Sequence, residues 1–184
     1  MTEYDILCSI LNKRFSSIPQ NVMIEEKGEL EPQRVAIDGT GRKNLLWTLY
    51  RFSMDDFNFL PFFAKHPDKV PEGLCKFCDY ILIVETKLNT FVLLIELKRG
   101  QTGGNAEKQL HASEIFMKYI FATASRLHQD FQSDLFNANE IVIRKIKLKK
   151  KASSKITTKM QNIDLNQNYI QYDSVGSFPI AKFC

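Results

Sequence analysis

Apolar residues recur along the chain with two periods, and each period predicts an element. Tyr4, Leu7, Cys8, Leu11 and Phe15 fall on one helical stripe, so residues 3–15 are expected to form a helix that ends in the Pro19 segment. Short strands are expected at 22–24 and 34–37, with an Asp38-Gly39-Thr40-Gly41 turn after the second. Leu45, Leu46, Leu49 and Tyr50 share one side of a helix predicted over 44–52. Residues 53–73, rich in phenylalanine and proline, read as an irregular packed segment. Runs at 79–85 and 91–98 have strand length and are separated by a short polar turn. Asn105 is placed to cap a long helix reaching about residue 129. From 141 to 148, Ile146 and Leu148 alternate with lysines, predicting a half-exposed strand, and a last strand is expected at 170–172. Strands followed by a helix and further strand imply an α/β fold with a central mixed sheet flanked by helices.

The runs at 79–85 and 91–98 carry charge where burial excludes it. Asp79 opens Asp79-Tyr80-Ile81-Leu82-Ile83-Val84, and Glu96 and Lys98 close Phe91-Val92-Leu93-Leu94-Ile95-Glu96-Leu97-Lys98. Isolated charges inside apolar runs are costly unless they pair or bind a metal. Glu-x-Lys occurs three times, at Glu25/Lys27, Glu85/Lys87 and Glu96/Lys98, but the first lies in an acidic loop segment and the second at the hairpin turn, which leaves the third as the one set within a strand. Side chains alternate along a strand, so Glu96 and Lys98 share a face. A four-residue loop over 86–89 would pair Glu85 with Thr90 and Val84 with Phe91, and would bring Asp79 opposite Glu96. Directly opposed Cβ atoms lie about 5 Å apart. Two carboxylates at that range repel unless a divalent cation reverses the sign, and oxygen ligands suit Mg²⁺ or Mn²⁺. The competing reading is a surface Glu–Lys contact with Asp79 capping the strand edge.

Composition narrows the class. The 184 residues suffice for one domain with its own core, and no run approaches the roughly 20 apolar residues of a membrane span. Acids at Glu3 and Asp5 argue against a secretory signal. Cys75 and Cys78 form a CxxC, but no second pair completes a zinc set, and reduced cysteines suit a cytoplasmic protein. The net charge is +4, yet residues 141–160 hold eight basic residues and no acid, which leaves the rest at −4. Such asymmetry marks an anionic partner, with Lys145, Lys147, Lys149, Lys150 and Lys151 as expected phosphate contacts. A lysine-guarded edge strand is the alternative.

On the long helix, Gln109, Phe116, Ile120 and Leu127 form one stripe with Ala112 and Thr123 beside it, which sets Gln109 near the loop leaving Lys98. His111 points away, and no histidine-based catalytic set is evident among His66, His111 and His128.

Asp79, Glu96-Leu97-Lys98 and then Gln109 on the next helix resemble the restriction-endonuclease-like, or PD-(D/E)xK, nuclease superfamily. Cys78-Asp79-Tyr80-Ile81-Leu82-Ile83, Leu94-Ile95-Glu96-Leu97-Lys98-Arg99-Gly100 and Glu107-Lys108-Gln109-Leu110 are close to forms in small prokaryotic members. The likeness covers roughly residues 75–130. It implies a mixed sheet with helices on both sides, and Mg²⁺ held by the Asp79 and Glu96 carboxylates and the Leu97 carbonyl. Lys98 would be the catalytic lysine, and Gln109 would support the site. Cys78 stands where the family often has proline. A further acid from the N-terminal region stays open among Glu3, Glu25, Glu26 and Glu29. The expected function is Mg²⁺- or Mn²⁺-dependent hydrolysis of nucleic-acid phosphodiesters, more readily of DNA, by a cytoplasmic enzyme that a homodimer would suit. Its rivals are a non-cutting binding protein on the same scaffold and an interaction module built on the aromatics of 57–63.

Overall fold

The structure, a computed structural model, describes residues 2–11, 16–17, 23–25, 34–38, 46–51, 77–97, 104–128, 141–150, 169–174 and 177–184. Its centre is the hairpin of β5 (Tyr80–Glu85) and β6 (Thr90–Leu97). Glu85 pairs with Thr90 and Val84 with Phe91, the register expected from a loop over 86–89. Thr86 closes that loop: its N–H donates to the Asn89 carbonyl at 2.9 Å, and its hydroxyl accepts the Asn89 N–H at 3.0 Å.

Around the hairpin stand β1 (Ser16–Ser17), β4 (Leu46–Arg51), β7 (Ile141–Lys150) and β8 (Ile170–Ser174). The six strands are ordered β1-β4-β5-β6-β7-β8. β4 pairs antiparallel with β5, whereas β7 runs parallel to β6 and β8 parallel to β7. The sheet is mixed and the class α/β, as expected. β4, β6, β7 and β8 therefore bring their carboxyl ends to one edge.

One expectation fails here, and one alternative reading is excluded. The helix predicted over 44–52 is a strand from Leu46 to Arg51. Both faces of the sheet are covered, so Leu49 and Tyr50 are buried on opposite sides, and an apolar run without alternation imitates a helical stripe. Likewise β7 is no lysine-guarded edge, because β6 and β8 flank it.

One face carries the two described α-helices. α1 (Glu3–Ile10) is shorter than predicted, and α2 (Gly104–Leu127) makes the crossover between the parallel strands β6 and β7. Ile6, Leu7, Ile81, Ile83, Val92, Leu94, Leu110, Met117 and Phe121 form the core between helices and sheet. The other face is covered, among the described residues, by a small sheet of β2 (Met23–Glu25), β3 (Arg34–Asp38) and β9 (Ser177–Pro179), not by an α-helix on that side. There Val35, Ile37 and Phe178 meet Leu82, Leu93, Ile95 and Leu97, and Phe178 stacks on Phe183 at 4.7 Å.

The buried stripe of α2 runs through Ala106, Leu110, Ser113, Met117, Phe121 and Ala124, and Leu127 is exposed. The predicted stripe is thus rotated, with Ile120 common to both. Alanine and serine let the helix approach the sheet closely, a preference that the large apolar residues used to predict the stripe do not reveal. No helix among the described residues is long and apolar enough to cross a membrane.

Candidate active site

Alternation assigns each side chain of the hairpin to a face. Val92 and Leu94 belong to the helix-side core, whereas Leu93, Ile95 and Leu97 belong to the opposite one, so Glu96 lies on the helix side. Tyr80 and Leu82 face the small sheet and Ile81 faces the helices, which puts Asp79 on the same side as Glu96. The two acids meet just beyond the last backbone pair, Tyr80 with Ile95.

Hydrogen bonds interlock them. The Asp79 N–H donates to Glu96 Oε2 at 3.1 Å, and the Leu97 N–H donates to Asp79 Oδ2 at 2.8 Å. Each carboxylate thus takes an amide of the opposite strand where the regular ladder stops, which holds both acids in a fixed relation. Glu96 is fully buried and Asp79 partly buried.

Helix α2 secures the approach to Asp79. Gln109 Nε2 donates to the Phe77 carbonyl at 3.3 Å, and Ser113 Oγ accepts the Cys78 N–H at 2.8 Å while donating to the Gln109 carbonyl at 2.9 Å. The Phe77 ring packs on Phe116 at 5.4 Å. Gln109 therefore holds the backbone two residues before Asp79. Cys78 is fully buried, and burial pushes its thiol far above the usual range, the nearby Glu96 and Asp79 adding to the shift against a lowering bond from Ser113. Its side chain packs in the helix-side core. Its CxxC partner Cys75 lies outside the described residues.

The basic residues divide. Lys98 and Lys151 lie outside the described residues, and Lys149 and Lys150 end β7. Lys145 and Lys147, expected to face phosphates, point to the helix side instead. Lys145 Nζ sits 2.9 Å from Glu114 Oε2 of α2, and Lys118 Nζ sits 2.9 Å from Oε1 of the same carboxylate. Burial alone would raise the Glu114 carboxyl, but its bonds to Lys145 and Lys118 outweigh that and hold it at about 2. Lys147 is only 2 % exposed, pairs in register with Glu96, and has its ammonium 5.7 Å from the centre of the Tyr169 ring. Its alternation with apolar residues is visible in the sequence, but its neighbour is not, because a parallel crossover leaves no local signal of register.

The two carboxylates suit a hard divalent cation, since Mg²⁺ commonly takes one or two carboxylates and completes its shell with water and substrate oxygens. Among the described residues no group of three or more His, Cys, Asp and Glu is placed to hold a metal. Of the candidate further acids, Glu3 begins α1, Glu25 ends β2, and Glu26 and Glu29 lie outside the described residues. Comparison with protein-family models, curated proteins and solved structures finds no match.

Proposed function

We propose that this chain is a metal-dependent nuclease of the restriction-endonuclease-like, PD-(D/E)xK type, hydrolysing phosphodiester bonds of nucleic acid, with DNA as the expected substrate. One observation carries the reading: Asp79 and Glu96, from adjacent strands, share a face and interlock through two backbone hydrogen bonds at the carboxyl-end edge of a mixed sheet. Ligands of open α/β sheets characteristically bind outside such ends.

Asp79 and Glu96 would hold Mg²⁺ or Mn²⁺ through their carboxylates, with the Leu97 carbonyl beside them. When bound, the cation supplies Lewis-acid charge neutralisation for the phosphodiester and a more acidic water. Lys98, next in the chain after β6, would orient the attacking water and offset the charge gathering on the phosphoryl oxygens. Gln109 and Ser113 keep the strand entry, and hence Asp79, in place. Lys149 and Lys150 end β7 at the same edge, and with Lys151, next in the chain, they would supply sequence-independent phosphate contacts.

The test is cleavage of supercoiled plasmid and single-stranded DNA with Mg²⁺, Mn²⁺ or EDTA. Wild type should cut only with metal, and Glu96→Ala and Lys98→Ala should not cut while retaining cooperative melting. Equal cutting by both variants and wild type refutes the assignment. Nucleic-acid binding without metal-dependent cutting would identify a non-catalytic member on the same scaffold.

A further inference from the structure

Lys147 is a costly residue to bury. An ammonium withdrawn from water needs compensation, and here it lies on an interior strand with 2 % of its surface exposed. Its register partner on β6 is Glu96, itself fully buried, and both face the helix side. Neighbouring strands are about 4.8 Å apart, so the two residues stand side by side on one face. The ammonium also lies over the Tyr169 ring, 5.7 Å from its centre. The lysine on the same face one pleat earlier, Lys145, is engaged by Glu114, so the helix carboxylate compensates that position and leaves Lys147 to the acid site.

We propose that Lys147 is the resident cation of the Asp79/Glu96 pair, a positioning residue that holds Glu96 in the metal-free protein and opposes entry of a divalent ion. This deepens the proposed function and rests on it. Two carboxylates with one ammonium carry a single negative charge. A divalent ion alone overshoots that to positive, and a phosphodiester anion returns the assembly to neutrality. Metal and nucleic acid are therefore taken up together, and the free protein holds metal weakly. The repulsion is large enough to measure: even at the dielectric constant of bulk water, a unit charge about 6 Å from a divalent ion changes its binding about tenfold.

The experiment is calorimetric titration of Mn²⁺ into the full chain without nucleic acid. Lys147→Met should bind Mn²⁺ about tenfold more tightly than wild type, and Lys147→Arg, which keeps the charge, within twofold of it. A merely structural lysine predicts the opposite, since loosening the site weakens binding. Unchanged or weaker binding by a cooperatively melting Lys147→Met overturns the proposal. Should that variant fail to fold, the wild-type chain with isotope-labelled lysine side chains decides. The resonance lost in Lys147→Arg must shift on Mg²⁺ saturation, and an unmoved resonance overturns the proposal. Glu96→Gln separates the two levels. If it binds Mn²⁺ as wild type does, the acid pair is not the metal site and the proposed function fails. If it abolishes binding while Lys147→Met changes nothing, only the role of Lys147 fails.

Discussion

Ser113 and Glu114, consecutive residues of α2, serve different strands by different physics. Ser113 satisfies the buried Cys78 N–H. Ser113→Ala leaves that donor without its hydroxyl, an omission that costs about 1–3 kcal/mol, to be read from the urea midpoint at constant slope. Glu114 joins α2 to β7 through Lys145. Its folded-state pKa lies below the unfolded one, so its stabilisation is present above about 4.5 and lost as pH falls towards about 2. Glu114→Gln should therefore be less stable than wild type at pH 7, with the gap narrowing steadily below 4.5. Denaturant midpoints across that range check it, and a constant gap would mean that the carboxylate's charge contributes nothing. The acid pair was legible at this scale, because Asp79 and Glu96 interrupt apolar runs that have no other use for charge.

Elements differ in how much of themselves they show. The register of the β5–β6 hairpin is legible to the residue, since a four-residue loop with Thr86 and Asn89 leaves one register that keeps the apolar sets on their faces, while the strand ends differ by one residue from those expected. α1 likewise announces its start, for Thr2 and Asp5 make a reciprocal capping box. Thr2→Ala should cost about 1 kcal/mol, measured by thermal melting. β4 was misread because burial on both faces erases the alternation that identifies a strand. The stripe of α2 was rotated because Ala106, Ser113 and Ala124 do its close packing. Leu110, fully buried between α2 and the sheet, offers a direct check: Leu110→Ala should lose about 2–5 kcal/mol, far more than truncation of the exposed Leu127.

Across the whole molecule, charge and topology act together. Lys145 pairs with Glu114 of α2, and Lys147 is buried in register with Glu96 of β6, so part of the positive charge of 141–160 is taken up inside the fold. Under the proposed function, the lysines left to contact nucleic acid are those from Lys149 onward. Lys149→Glu with Lys151→Glu should weaken DNA binding and lower the slope of log affinity against log salt by about one per lysine. An unchanged slope in a fluorescence titration would remove that stretch from the interface. Mn²⁺ should raise the melting temperature of wild type through linkage and leave Glu96→Ala unmoved.

Local chemistry was enough to determine the hairpin, its register, the convergence of Asp79 with Glu96 and the α/β class, because turns, alternation and the cost of buried charge act within a few tens of residues. The tertiary structure alone decided that Leu46–Arg51 is a strand, that β7 is interior, and that Lys147 stands beside Glu96 while Lys145 meets Glu114. Those outcomes depend on which distant strands become neighbours. That choice comes from covering two faces of one sheet at once, and no short stretch of sequence encodes it.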